Sequence, residues 1–348
     1  MRNTLLRLAR ALGLFALARR RVRGALLILA YHGLAQADED RWRPKLFMSR
    51  VTFQRRLALI RQWGVPIVSL GDGLDHLKRN SEQPYAITLT FDDGYSNFAS
   101  LAAPELTAAG MRAMVYVCSY YAVHPDWPVF DLAIDYMFWS RPAGRVPGEI
   151  IGESQSLTAS TPAERTASVD RVYSFAERNK LGGHDKDALA RTLAGHLGFP
   201  YDDMVRERRL CLMPAEELQG VARRGFEVAL HTHRHAIRES SVGLRQEVAD
   251  NRAALMGLGV TPTEDFCYPS GEWALEMWPI LEQAGIRSAT TCEPGVARAD
   301  TPRYALPRFL DSEIVEDIEF EAWVSGFMPW LYELTGRSRK RASSGGAA

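Results

Sequence analysis

The sequence predicts an α/β protein built on a parallel β-sheet. Apolar runs of strand length recur along the chain, with helical segments and short loops between them. The first run, ALLILAYHGL at residues 25–34, is continuously apolar, as expected of a strand buried on both faces of a sheet. This alternation is typical of an α/β barrel or of a doubly wound sheet.

The alternation continues after the first strand. Residues 51–64 have apolar side chains at positions 53, 57, 60 and 63, a helical spacing that ends at Gly64. Two strands, a helix and a further strand are predicted next, at residues 65–70, 85–94, 97–110 and 111–119.

The rhythm breaks over residues 122–212, which are rich in helix formers and too long for a simple loop. We interpret them as a mostly helical insertion. The alternation then resumes in a capped helix with a strand, a short strand, a helix, a strand and a Pro-containing segment, at residues 213–235, 265–273, 274–285, 286–292 and 304–310. A C-terminal helix is predicted over 321–336 and a disordered tail over 337–348.

Composition excludes several classes of protein. Lys plus Arg and Asp plus Glu number 42 each, so the net charge does not indicate a nucleic-acid partner. The four cysteines contain no C-x-x-C pair, which argues against a zinc ribbon or a redox couple. We expect reduced thiols in a cytoplasmic protein, with Cys118 and Cys267 as small core residues.

Residues 1–24 are basic and rich in leucine, with arginines at positions 2, 7, 10, 19, 20, 21 and 23. The apolar stretch ALGLFALA runs into three arginines without a small-residue cleavage site, so we do not expect an exported protein. The segment predicts an amphipathic helix that rests on an anionic face of the inner membrane, or alternatively a helix packed on the domain. The expected location is therefore cytoplasmic, peripheral at the membrane.

Two motifs lie where predicted strands end: TFDDG at residues 90–94 and HTHRH at residues 231–235. Active sites of barrels and open α/β sheets assemble at that edge. One aspartate and two imidazoles would give a divalent metal three ligands and leave a position for water. A second carboxylate beside the metal could accept a proton from that water.

With these motifs the chain resembles the polysaccharide deacetylases that have a NodB homology domain, a family of carbohydrate esterases. TFDDG is similar to the family's first motif and HTHRH to its H-[ST]-x-x-H motif. The resemblance runs from about Leu27 to Phe309 and includes FCYPSGEW and LPR. The opening Tyr-His pair is closest to the branch that includes the poly-N-acetylglucosamine deacetylases. The resemblance to the family implies a deformed (β/α) barrel of the NodB type over residues 25–320, with the helical insertion.

The resemblance also implies roles for single residues. Asp93, His231 and His235 would hold the metal, which we expect to be zinc, and Asp92 would be the general base. Thr232 would brace the loop between the histidines.

The sequence departs from the family pattern at two places. Many members have Arg-x-Pro-Tyr where this chain has Cys267 to Ser270. The backbone N–H of Ser270 can still bind an oxyanion, and Arg308 is the best substitute for the missing arginine. The late Leu-x-His motif is also missing, because no histidine follows His235. We expect His32 to act as the general acid instead, although a histidine there can also be a buried structural residue.

The predicted function is hydrolysis of the acetamide of an N-acetylhexosamine unit in an oligosaccharide, a polysaccharide or a lipid-linked glycan. The enzyme class is a hydrolase of linear amides, and the partner is an acetylated amino-sugar glycan rather than a nucleic acid. The alternatives are a related deacylase that removes O-acetyl or formyl groups and a non-catalytic glycan-binding relative. Aromatic side chains could bind the sugar rings: Trp127, Phe130, Tyr136, Trp139 and Trp273.

Overall fold

A computed structural model of the chain describes residues 2–79, 85–237 and 241–335. The chain forms two compact units. The first combines the residues up to Tyr120 with those from Ala215 onward, and the second is Tyr121–Pro214. The tail predicted to be disordered, residues 337–348, lies outside the described residues.

The strands and helices of the described residues are numbered along the chain. The strands are β1 Leu26–Tyr31, β2 Gly33–Leu34, β3 Phe47–Met48, β4 Ala86–Phe91, β5 Met114–Val117, β6 Arg145–Val146, β7 Leu157–Thr158, β8 Glu227–Leu230, β9 Asp265–Cys267, β10 Ser288–Thr290 and β11 Phe309–Leu310. The helices are α1 Arg2–Ala11, α2 Leu14–Arg21, α3 Glu39–Trp42, α4 Arg50–Trp63, α5 Leu70–Arg79, α6 Ala103–Ala109, α7 Phe130–Ser140, α8 Pro162–Arg178, α9 Gly183–Leu197, α10 Tyr201–Arg206, α11 Ala215–Arg223, α12 Ser241–Gly257, α13 Trp278–Gln283, α14 Asp317–Val324 and α15 Phe327–Leu334.

The first unit is built on a curved sheet of seven parallel strands in the order β10-β9-β8-β5-β4-β1-β11. The segment around β11 pairs at both edges of this sheet. Phe309 and Leu310 pair with β1, while Leu306 forms a parallel bridge to Thr290 of β10. The sheet therefore curls into a deformed barrel, and the predicted fold class is confirmed.

The first strand and the helix α4 form as their sequences predict. All six residues of β1 are buried, as expected of a central strand covered on both faces. The helix α4 begins after Ser49, whose side chain accepts a hydrogen bond from the Thr52 N–H at 3.2 Å. It ends at Gly64, which adopts a left-handed φ of 56° that favours glycine.

Three elements differ from the prediction. Residues 65–70 form one bridge, Ile67 to Ile87, instead of a strand, because α5 already begins at Leu70. The predicted C-terminal helix over 321–336 is two helices, α14 and α15, separated at Gly326 with φ of 83°. The helix α12 lies in a part of the sequence for which no element was predicted.

The second unit consists mainly of the helices α7 to α10, and it covers the segment interpreted as an insertion. Its short strands β6 and β7 pair antiparallel. Phe130 and Tyr136 are buried in α7, whereas Trp127 and Trp139 are partly exposed.

The N-terminal helices α1 and α2 pack on α14 and α15. Phe15 stacks on Phe327 with ring centroids 4.9 Å apart, and Arg10 forms an ion pair with Glu321 at 2.7 Å. Over residues 2–24 the structure thus contains the packed helices that were one of the two predicted alternatives. Within the described part of the chain, every helix is too short or too polar to cross a lipid bilayer.

Candidate active site

Several of the predicted site residues follow strands at one edge of the curved sheet, where parallel strands place their carboxyl ends together. His32 follows β1, Asp92 and Asp93 follow β4, and His231 follows β8. Arg308 comes immediately before β11. The order of the strands in the sheet, rather than closeness in sequence, brings these side chains together.

Asp93, His231 and His235 place three ligand atoms close enough to share one ion. Asp93 Oδ1 lies 3.3 Å from Nε2 of His231 and 3.3 Å from Nε2 of His235. In a tetrahedral zinc site with bond lengths of about 2.0–2.1 Å, ligand atoms are about 3.3–3.4 Å apart. Asp93 Oδ1 is also buried and has no hydrogen-bond partner in the described part of the chain. A divalent metal fits these residues.

The charges around His231 favour a cation at the same point. Its Nδ1 lies 2.8 Å from the carbonyl oxygen of Cys267. In the neutral ring, Nδ1 therefore carries the proton, and Nε2 directs its lone pair at Asp93. Burial lowers the pKa of His231, but the acidic groups of Cys267, Cys118 and Asp93 raise it well above its usual value. Two lone pairs 3.3 Å apart need a proton or a metal ion between them.

Left-handed backbone is concentrated at the site. Seven described residues other than glycine have a positive φ, and four of them lie here: Asp93, Thr232, His235 and Ser270. Such conformations are costly for residues with a Cβ atom and are typical of functional sites. Gly94 is required for a related reason, since φ is 86° and a Cβ atom would lie 2.9 Å from Val117.

Asp92 is held by Arg308 in a buried, two-pronged ion pair. The Arg308 guanidinium donates from Nη1 to Oδ1 at 2.7 Å and from Nη2 to Oδ2 at 2.8 Å. Burial raises the pKa of Asp92, but the charge and hydrogen bonds of Arg308 hold it below its usual value. Asp92 is therefore a carboxylate at neutral pH, with lone pairs left to accept a proton.

His32 stands on the other side of Asp92. Its Nε2 is 3.9 Å from Asp92 Oδ2, which is too long for a hydrogen bond, so neither atom is occupied by the other. About a fifth of the His32 side chain is exposed, unlike the fully buried Arg308. His32 is thus placed within reach of the base and of solvent.

Ser270 is exposed and lies in the turn Pro269–Gly271, which follows β9. Among the described residues, the structure shows no contact between Ser270 and the other predicted site residues. Thr232 Oγ1 accepts a hydrogen bond from the Ala236 N–H at 3.3 Å and so closes the loop that carries both histidines. His233 is turned away, with its Nδ1 2.8 Å from the Ser119 hydroxyl.

Three neighbours of the candidate metal ligands were not predicted from the sequence. Cys118 Sγ lies within 4.8 Å of the ligand atoms of Asp93, His231 and His235. The Tyr95 hydroxyl hydrogen-bonds the carboxyl group of Asp93. Both follow strand ends, so their positions become predictable only once the order of the strands is known.

The third is Asn251 of α12, which is fully buried. Its Oδ1 accepts a hydrogen bond from the His231 N–H at 3.0 Å, and its Nδ2 donates to the Val117 carbonyl at 3.0 Å. Asn251 therefore ties the start of the histidine loop to β5.

Comparison with known proteins matches one part of the chain to a family. Residues 187–289 match the family model for polysaccharide deacetylase, and this confirms the resemblance predicted from the motifs. No curated protein is similar enough to the chain to be matched.

Several solved structures share the fold. The Streptococcus pyogenes deacetylase PplD in complex with acetate is 15% identical, with a TM-score of 0.55, over 85% of this chain and 96% of that one. IcaB from Ammonifex degensii is 16% identical, with a TM-score of 0.52, over 86% and 97%. A de-N-acetylase from Aggregatibacter actinomycetemcomitans is 13% identical, with a TM-score of 0.53, over 86% and 99%. At sequence identities of 13% to 16%, the similarity of these structures to this chain establishes the fold alone.

Proposed function

We propose that the chain is a polysaccharide deacetylase that removes the N-acetyl group from an N-acetylhexosamine unit of a glycan with the help of a divalent metal, which we assign as zinc. One observation carries the proposal. Asp93 Oδ1 lies at tetrahedral spacing from Nε2 of both His231 and His235. Beside it stands Asp92, a carboxylate fixed by Arg308.

The metal would be held by Asp93 Oδ1 and by Nε2 of both histidines. Bound there, zinc supplies Lewis acidity, which polarises the acetamide carbonyl and lowers the pKa of a water molecule. Neighbouring groups hold two of the ligands in position for this role. The Cys267 carbonyl fixes the ring of His231, and the Tyr95 hydroxyl fixes the carboxyl group of Asp93.

Asp92 is the general base in this proposal. It accepts the proton of the attacking water, most directly at Oδ2, the oxygen that faces His32. Arg308 keeps Asp92 ionised and holds its carboxylate plane fixed while the proton is transferred. The choice of Arg308 as the substitute for the missing family arginine is supported by these two hydrogen bonds.

His32 is the general acid. It would donate a proton from Nε2 to the departing amine, since this atom lies 3.9 Å from Oδ2 of the base Asp92 and the side chain is about a fifth exposed to solvent. The backbone N–H of Ser270 would stabilise the oxyanion, a role available to this position because a backbone donor does not depend on its side chain. The products are acetate and a free amino sugar.

A substrate panel tests the proposal. Purified full-length protein, reconstituted with zinc and with zinc content measured, would be incubated with chito-oligosaccharides, a lipid-linked N-acetylated sugar, an O-acetylated glycan and an N-formyl sugar. We expect acetate release from N-acetylated substrates together with an equal amount of new primary amine. Release from the O-acetylated or formylated substrates alone would establish the alternative deacylase and overturn the proposal.

Matched variants separate chemistry from folding. Asp92→Asn keeps the shape of the side chain but removes the base, and should lower the rate by about 10²–10⁴-fold. Asp300→Asn, at an exposed position, is the control and should keep the wild-type rate. A zinc-loaded protein with no turnover on any acetylated glycan would favour the non-catalytic glycan-binding relative.

A further inference from the structure

An apolar stripe is exposed along the first helix. Leu5, Leu8 and Leu12 are 61%, 56% and 67% exposed. They are three and four residues apart, a spacing that places side chains on one side of a helix. Leu17 of α2 is also exposed. Isolated exposed leucines are common on soluble proteins, but two on α1 with a third immediately after it form a surface of their own.

Another side of these helices packs on the domain. Leu6, Ala9, Phe15 and Ala18 are buried against the domain. The exposed leucines are therefore not needed to attach the helices, and contacts within the described part of the chain leave them in solvent.

All charged side chains in the sequence around these leucines are positive. The first acidic residue of the chain is Asp38, whereas seven arginines precede it. Three of these arginines are neutralised by α14 and the residue before it, in the pairs Arg2–Glu319, Arg7–Glu316 and Arg10–Glu321.

The remaining arginines lie at the end of α2 and just beyond it. Arg19 donates to the backbone carbonyls of Trp63 and Gly64. Arg20, Arg21 and Arg23 are exposed, and among the described residues their side chains have no acidic partner. An apolar stripe with unpaired cations beside it matches a surface that offers both hydrocarbon and negative charge.

We propose that α1 and α2 form a docking surface for an anionic lipid bilayer, with Leu5, Leu8, Leu12 and Leu17 inserted at the headgroup boundary and Arg20, Arg21 and Arg23 on the lipid phosphates. The arginines decide between a bilayer and a second copy of the chain. Two such surfaces facing each other would bring like charges together, whereas an anionic bilayer neutralises them. The surface is separate from the catalytic chemistry, so this proposal stands or falls independently of the proposed reaction.

Vesicle co-sedimentation of the full-length protein tests the proposal. We expect binding to vesicles of phosphatidylglycerol and phosphatidylcholine, weak binding to phosphatidylcholine alone, and release as the salt concentration rises. Replacing Leu5, Leu8 and Leu12 by serine should weaken binding more than tenfold. Replacing Arg20, Arg21 and Arg23 by glutamine should weaken it by about fivefold per charge.

Met256→Ser combined with Leu275→Ser is the control, since these side chains are exposed to a similar extent, 58% and 55%, in other parts of the first unit. All variants change exposed positions, so circular dichroism and the unfolding temperature should stay at wild-type values. Absence of vesicle binding, or equal loss in the control, would overturn the proposal. Concentration-dependent dimerisation in light scattering that the leucine variant abolishes would show instead that the stripe covers a second copy.

Discussion

Replacing Arg308 by glutamine should destabilise the folded protein strongly. The guanidinium is fully buried and neutralises Asp92, which is only 3% exposed, through hydrogen bonds of 2.7 and 2.8 Å. Breaking a buried pair by removing one partner leaves an uncompensated charge in a medium of low polarity, at a cost of roughly 3–5 kcal/mol. The lost bond from Arg308 Nε to the Thr291 carbonyl adds to this loss.

Urea unfolding followed by tryptophan fluorescence measures this cost. The double variant Arg308→Gln with Asp92→Asn should recover about 2 kcal/mol or more of the loss, because the neutral amide no longer needs the cation. Arg303→Gln is the matched control five residues earlier, since its ion pair with Glu282 is exposed and should contribute no more than about 1 kcal/mol.

The Arg308→Gln variant should also change the pKa of Asp92. Burial alone raises the pKa of Asp92, so losing Arg308 should leave a smaller fraction of Asp92 ionised at neutral pH. If Arg308→Gln is no more destabilising than Arg303→Gln, or if the double variant recovers nothing, the ion pair does not hold Asp92 as described.

Three further predictions concern stability and the site. Burial raises the pKa of Asp311 to about 7 despite its ion pair with Arg56, so between about pH 4 and 7 the folded protein holds a proton that the unfolded chain has lost. The free energy of unfolding should then decline with rising pH by at most about 1.4 kcal/mol per unit up to pH 7, and urea titrations of Asp311→Asn should lack that decline. Asn251→Ala leaves the His231 N–H without its partner and should cost about 1–3 kcal/mol and weaken zinc binding about 10–100-fold in a chelator competition assay. His32→Gln should lower the rate of acetate release by about 10²–10⁴-fold while zinc content stays unchanged, and equal activity would remove His32 as the acid.

The sequence predicts this fold well where the local pattern and the tertiary role agree. The strand β1 and the helix α4 appear with nearly the predicted bounds, because continuous burial and a capped amphipathic helix leave direct signatures. The strand predicted over residues 65–70 is wrong because an apolar run ending in Ser69 can also lead into a helix, and α5 begins at Leu70.

The two predicted site motifs can be identified in the sequence, whereas the residues that contact them cannot. Asp92, Asp93 and the two outer histidines stand in local patterns whose chemistry is specific. Asn251 and Cys118 lie in segments without such a pattern, and only the order of the strands brings them to the site. The placement of Arg308 beside Asp92, 216 residues apart in the chain, likewise follows from the position of β11 next to β1.

The chemical roles predicted for single residues do not follow from the positions of their side chains alone. Ser270 shows this most clearly, since its turn follows the correct strand but makes no contact with the other predicted site residues among those described. Its role as an oxyanion donor therefore stays a prediction, as do the acid role of His32 and the identity of the metal.

A zinc titration of metal-free protein, with acetate release measured at each point, tests whether the reaction depends on the bound metal. We predict that acetate release from an N-acetylated chito-oligosaccharide rises in proportion to bound zinc and levels off at one ion per chain. Asp93→Asn should bind little zinc and release little acetate. Full acetate release from metal-free protein, or one tightly bound zinc without any release of acetate, would contradict the account.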